Sequence, residues 1–276
     1  MPPYPNLVSE SLLINLTIDF LVSIGGRASA VNVVDYVMKI SKPEPKLAKL
    51  LVSDLIDRDP RLALTDDLVE LVEANHETLD LGETGFVVFD LETTGAKAPP
   101  GRITEIGAYR VRNGKVAEEF HTLINPETSI PPFITSLTGI SNDMVVDAPV
   151  FRDVASRFLE FIGDSVLVAH NAHFDMGFLN HEIGRVYENY RVWNPSLCTV
   201  QLSRKLLPNI ENHKLSTVAN YFSIELLNHH RASDDARATA HIFVNLLNDL
   251  RIRGINDVGS ARRFGLRKHY VRANQT

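Results

Sequence analysis

Apolar residues recur at helical spacing through most of the first 56 residues. Between Ser9 and Ile24 they fall at 12, 13, 16, 20 and 21, a stripe that stops at Gly25-Gly26, and a second stripe runs from Ala28 to Ile40. A third follows Pro45 through Lys46, Leu47, Leu50, Leu51, Leu55 and Ile56, and Asp59-Pro60 ends it. Residues 61–64 and 68–71 flank Thr65-Asp66-Asp67 and predict two short strands about a turn. A polar stretch, 73–78 with Gly82 beyond it, then marks a boundary. From Gly85 the pattern changes: Phe86-Val87-Val88-Phe89 is continuously apolar, as in a strand buried on both faces. Ile103–Val111 and Val116–Ile124 flank Asn113-Gly114 and predict a hairpin. Helices are expected at 150–162, 173–187, 199–206, 214–222 and 233–250, with an apolar strand at 165–169. A strand, a hairpin and then alternating helices and strands give an α/β fold, a mixed sheet covered by helices.

Composition narrows the class. With 44% apolar and 22% charged residues in 276, the chain reads as a folded soluble protein of one or two domains. The lone Cys198 excludes an internal disulfide and a cysteine-rich zinc module. No apolar run of about 18 residues and no secretory leader pattern appears, so no membrane role and a cytoplasmic location are expected. The net charge of −6 is unevenly spread: residues 1–80 and 81–250 each carry −6, and residues 251–276 carry +6.

The chemistry concentrates at three element ends. Asp90 and Glu92 lie two apart at the end of the first buried strand, so both point to one face. Two anions beside an apolar strand need a partner, and a divalent cation is the economical one. Asp175 stands where the strand at 165–169 gives way to the first turn of a helix, where the helix dipole favours an anion. Asp235 begins the last long helix, with Ser233 as its expected N-cap and a core stripe of Ala236, Ala240, Phe243, Leu247 and Leu250. His230 precedes Asp235 by five residues, on a segment free to swing, and can take a proton near neutral pH.

The order and spacing of these motifs resemble the DEDD exonucleases of the histidine subtype, the superfamily of the epsilon and PolC proofreading components of bacterial replicative polymerases. Phe89-Asp90-Leu91-Glu92-Thr93-Thr94-Gly95 with Ile103 to Ala108, His170-Asn171-Ala172-His173-Phe174-Asp175, and His230 to Ala236 carry the resemblance across residues 84–250. It implies a ribonuclease H-like mixed five-stranded sheet flanked by helices. It also implies that Asp90, Glu92, Asp175 and Asp235 hold two Mg²⁺ or Mn²⁺ ions and that His230 is the base. The implied reaction releases 5′-mononucleotides from DNA 3′ ends, single-stranded or frayed, in proofreading, repair or trimming. RNA is an alternative polymer and a non-catalytic polymerase adaptor a remote one. Thr93, Thr94, Glu105, Thr138, His170 and Asn171 are expected near the substrate, with Glu105 either supporting the site or forming the polar side of an edge strand. Cys198 is expected to be a small buried hydrophobe. Gln201-Leu202-Ser203 is expected to belong to a core helix despite a faint likeness to a sliding-clamp peptide.

The element order of residues 1–80 resembles a winged helix. Its acidity favours a polymerase or other protein partner over a duplex, although Lys42, Lys46 and Lys49 could form a local basic patch. The basic residues from Arg251 through Arg253, Arg262, Arg263, Arg267, Lys268 and Arg272 form a tail that is the better nucleic-acid candidate.

Overall fold

The computed structural model describes residues 4–57, 59–72 and 75–266. Arg267, Lys268 and Arg272 of the expected basic tail lie outside them. In chain order the elements are β1 (Leu7–Ser9), α1 (Leu12–Ser23), β2 (Arg27–Ser29), α2 (Ala30–Met38), α3 (Pro45–Ile56), β3 (Leu62–Thr65), β4 (Leu68–Leu71), β5 (Phe86–Thr93), β6 (Ile103–Arg112) and β7 (Lys115–Leu123). Then follow α4 (Pro132–Thr138), α5 (Asn142–Val145), α6 (Phe151–Ile162), β8 (Val166–Ala169), α7 (Ala172–Val186), β9 (Tyr190–Val192), β10 (Ser196–Cys198), α8 (Thr199–Leu206), α9 (Leu215–Tyr221), α10 (Ala232–Ile252) and α11 (Val258–Gly265). No helix among the described residues is long and apolar enough to cross a membrane.

The chain divides into two compact units. The first holds residues 1–75 with 155–163 and 179–193. Its three-stranded sheet has the order β2-β4-β3, and β1 pairs antiparallel with β9. The three helices and the hairpin lie where the pattern predicts, but two buried faces are rotated from the expected stripes. On α1 the buried residues are Ile14, Thr17 and Leu21, whereas Leu12 is 72% exposed; on α3 they are Ala48, Val52 and Ile56, whereas Leu50 is 66% exposed. A short stripe with surplus leucines fits either face, and packing of both helices against α2, with β4 and β3 adding to it, decides.

The second unit holds residues 76–154, 164–178 and 194–276. Its sheet is mixed and five-stranded, in the order β10-β8-β5-β6-β7. β5, β8 and β10 run parallel, while β6 and β7 are antiparallel neighbours on the other side of β5. β5 is therefore central, which accounts for its fully buried Phe86-Val87-Val88-Phe89 run. The expected stripe of α10 is buried throughout and packs on the sheet, with Phe243 edge-on to Phe86 at 4.8 Å between ring centroids. Leu202 of α8 is also buried, as expected of a core helix. Cys198 is half-buried at the start of α8. Sequence periodicity missed the two short helices α4 and α5 and the three-residue strands β1, β2, β9 and β10.

The described residues of the expected tail, 251–266, are largely helical. α10 continues to Ile252, and α11 follows after Asp257, whose side chain accepts from the Ser260 N–H and caps it. Leu81 donates to the Asn256 carbonyl and Val258 to that of Leu79, so residues 79–81 run antiparallel beside 256–258. Arg262 and Arg263 both pair with Glu77, at 2.7 and 2.8 Å.

Candidate active site

β5 carries Asp90 and Glu92 past the level where it pairs with β8, onto the half of the strand bonded to β6 alone. β8 ends at Ala169 and the chain turns into α7, whose first turn holds Asp175. α10 brings in Asp235, also in its first turn. Carboxylate oxygens of Asp90, Glu92 and Asp235 lie within 4.8 Å of one another. Asp175 joins them through its neighbours: the Leu91 N–H, between Asp90 and Glu92, bonds its carboxylate, and its charge is the strongest of those acting on Asp90. Asp90 and Glu92 are partly open, whereas Asp175 and Asp235 are only 2% and 4% exposed.

Acids this close, with the charge of Asp175 beside them, cannot all ionise without a counter-charge. Burial, followed by the charge of Asp175, pushes Asp90 well above the carboxylate range. Burial, then Asp235, raises Glu92 to about 8, and burial alone raises Asp175 to about 8. Asp235 is also raised by burial, despite its hydrogen bond from His229. One oxygen of Asp175, Oδ1, is buried without a hydrogen-bond partner. An all-oxygen donor set with such an orphan fits a hard divalent cation.

His230 stands beside this cluster with a left-handed backbone, φ 66°. It is held more firmly than its place before the helix suggests: its N–H donates to Asp235 Oδ2 and its ring stacks on His229, 3.9 Å between centroids. Burial, and after it the neighbouring His229, lowers its pKa, which leaves the imidazole neutral and able to accept a proton at pH 7. His229, to which the sequence pattern assigns no role, places Nδ1 at 3.1 Å from Asp235 Oδ1. Only the adjacency of two histidines signalled it.

The residues expected near substrate divide. Asn171 is exposed on the rim of a groove of about 370 Å³ with Lys97, His173 and Phe174, shortly before Asp175 in the chain. Thr93 and Thr94 follow Glu92, but their hydroxyls shape the next loop: Thr93 donates to the Gly95 carbonyl and Thr94 accepts from the Arg102 N–H. Thr138 and His170 are engaged by the protein itself. Thr138 is 4% exposed, and its hydroxyl donates to the Ile134 carbonyl and accepts from the Ile140 N–H. His170 bonds Thr199 Oγ1 and the His213 carbonyl, and burial lowers its pKa to about 4.

For Glu105 the strand order removes one of the two expected alternatives. β6 lies between β5 and β7, so Glu105 is on no edge, and it is 0% exposed. It accepts from Arg231 Nε and Nη2, from the Ala232 N–H and from His121 Nε2. Burial alone would raise its pKa, but these bonds hold it below the usual carboxylate range. α10 starts at Ala232, with Arg231 rather than Ser233 at its N-cap, and Glu105 supplies from a neighbouring strand the acceptor that the cap lacks. Ser233 instead donates to Glu119. Glu105→Gln is expected to destabilise the protein by about 3 kcal/mol, since it leaves Arg231 facing a weakened acceptor. It is also expected to lower any kcat at least tenfold by loosening the turn that holds His230 and Asp235. Urea unfolding and steady-state rates measure the two effects.

Residues 87–243, more than half of the chain, match the RNase_T exonuclease family. The chain belongs to this exonuclease family. Among the relatives of this exonuclease-family chain, PolC-type DNA polymerase III of Caldanaerobacter subterraneus subsp. tengcongensis is 44% identical over 195 residues, 71% of the chain. The chain covers only 14% of that polymerase's length, and 13% of its Bacillus subtilis counterpart. DNA polymerase III subunit epsilon of Aquifex aeolicus is 40% identical over 64% of the chain and 88% of its own length. Of solved structures, exonuclease X in complex with 5′ overhanging duplex DNA is 25% identical at a TM-score of 0.52, covering 66% of this chain and 99% of that one. E. coli exonuclease I with a dT13 oligonucleotide, 17% identical at a TM-score of 0.54 over 62% of this chain and 42% of that one, shares the fold.

Proposed function

We propose that this exonuclease-family chain removes 5′-mononucleotides from the 3′ end of single-stranded or frayed DNA, with two Mg²⁺ or Mn²⁺ ions held by Asp90, Glu92, Asp175 and Asp235. The observation that carries the reading is the meeting of four acids from three separate element ends, one of them with a buried oxygen left unpartnered. DNA is favoured as polymer by the relatives' names, polymerase components in both cases. When bound, paired divalent cations supply charge neutralisation and Lewis acidity to an in-line displacement at phosphorus. His230, neutral at pH 7, takes the proton of the attacking water. Glu105 fixes Arg231 and Ala232, and so the direction from which His230 and Asp235 enter.

The test is a nuclease assay with Mg²⁺ or Mn²⁺ on 5′-labelled DNA and RNA, single-stranded and mispaired. A ladder shrinking from the 3′ end is expected, with His230→Ala lowering kcat by about 10²–10⁴-fold. A ladder that is absent, starts from the 5′ end or survives this substitution unchanged overturns the proposal.

For the flanking parts, we propose that residues 1–80 form a winged-helix-like module that contacts a polymerase or other protein. The order α1-β2-α2-α3-β3-β4, a net charge of −6 and the exposed Leu47 and Leu50 of α3 support this. With residues 84–250 as the exonuclease domain, the basic run after residue 250 is a weaker nucleic-acid candidate than its charge suggests, since Arg262 and Arg263 already face Glu77.

A further inference from the structure

Residues 228–230 are suspended from the first turn of α10 by its two acids. Asn228 Nδ2 donates to Asp234 Oδ2 at 2.9 Å, His229 Nδ1 lies 3.1 and 3.2 Å from the two oxygens of Asp235, and the His230 N–H donates to Asp235 Oδ2 at 3.1 Å. The N-cap of the helix makes no side-chain hydrogen bond, so these bonds, with that of the Ala232 N–H to Glu105, fix the way the chain enters it. His230 takes a left-handed backbone, φ 66°, a region that residues other than glycine hold only where their surroundings impose it. Successive side chains of an extended segment point to opposite sides. Here two consecutive imidazoles instead lie face to face, 3.9 Å between centroids and 20° between planes.

The His229 ring thus meets two groups in two ways. Ionised Asp235 only accepts, so the nitrogen facing it, Nδ1 of His229, carries the proton. The N–H donors of His229 and of the His230 backbone occupy part of the carboxylate's lone-pair positions and leave the rest for a cation shared with Asp90 and Glu92. Donors of this kind orient a ligand carboxylate and hold it ionised. The face of the ring covers His230 instead. A flat neighbour at 3.9 Å leaves the His230 imidazole little freedom to turn about the bond that carries it.

We infer that His229 is a positioning residue for the proposed reaction, its N–H aligning Asp235 for a cation and its ring face aligning the His230 imidazole for the attacking water. This role rests on the proposed reaction and divides its support between one edge and one face of a single side chain.

Three substitutions in the full chain separate the edge from the face. Asn places an amide N–H close to where Nδ1 stands but has no ring, Phe keeps a ring without a donor, and Ala keeps neither. Mn²⁺ binding without DNA, followed by the electron paramagnetic resonance of free Mn²⁺, reads the edge. The kcat and KM on a 5′-labelled single-stranded oligonucleotide at saturating Mn²⁺ read the face. His229→Ala should weaken Mn²⁺ binding and lower kcat by about tenfold or more each, while KM stays within about twofold of wild type. His229→Asn should recover the Mn²⁺ affinity and not kcat, and His229→Phe should recover most of kcat and not the affinity. The role is overturned by an Ala variant with wild-type affinity and kcat, by a rise in KM at constant kcat, or by Asn and Phe variants that both match Ala. If the wild type binds Mn²⁺ but releases no mononucleotide, the proposed reaction fails, while the affinities of the Ala and Asn variants still decide whether His229 aligns Asp235.

Discussion

Asp175→Asn is expected to reduce nuclease activity by about 10³-fold or more while raising the melting temperature of the metal-free protein, roughly by 3–6 °C. The two effects have one origin. In the absence of a cation Asp175 is a buried acid with an unpartnered oxygen and a pKa raised to about 8 by burial, so its charge costs stability. Glu92 has likewise moved from 4.5 to about 8. The unfolded chain releases these protons near pH 4, whereas the folded chain keeps them until about pH 8. Between those values the folded state binds more protons, so the stability of the metal-free protein falls as pH rises from about 4 to 8 and levels off above. A bound cation restores the anions' partner, and the melting-temperature gain on adding Mg²⁺ or Mn²⁺ should therefore widen from pH 5 to pH 8. Thermal unfolding followed by circular dichroism, with EDTA and with metal, measures the slope. A metal-free protein that grows more stable across this interval would contradict buried, unpaired carboxylates as the common cause.

Gly107→Ala is expected to cost about 3 kcal/mol or more and to lower any kcat by about 10²-fold, although Gly107 bears no functional group. Gly107 pairs with Asp90 across the sheet and lies beneath the start of α10. A Cβ there would stand 2.3 Å from the Ala232 carbonyl group and the Ser233 nitrogen, all backbone atoms with no rotamer to yield. The helix must lift, carrying Asp235 and His230 away from Asp90 and Glu92. Denaturant unfolding gives the first number and initial rates on a labelled oligonucleotide give the second. A variant of native stability would mean that α10 can shift freely on β6.

What could be read in the chain was local. The Asp90-Leu91-Glu92 alternation on a buried strand and the carboxylates in the first turns of two helices need only neighbours a few residues away, and those acids do meet. Glu105 could not be placed in this way. The group that compensates its burial, Arg231, is 126 residues distant, so its strand position alone could not separate a clamp from an exposed edge. His170 is similar, since its partners come from residues 199 and 213. The strands β9 and β10, three residues each, have too few alternations to declare a period, and the remote strands they pair with define them. The face of α3 was ambiguous because its apolar positions 47, 50, 51, 52, 55 and 56 encircle the helix. α11 did leave a trace, the Asp257 to Ser260 capping spacing, which the excess of arginine around it obscured.

The antiparallel seam between residues 79–81 and 256–258, pinned by Glu77, ties the leading edge of the nuclease portion to its trailing edge. The stretch recognised as a family, 87–243, lies wholly inside that seam. Trimming to the recognised borders would strip the buried Leu81, Leu246, Leu250 and Val258 from the apolar interior they share with Val88 and Phe243. The apolar interior therefore extends past both ends of the part kinship identifies.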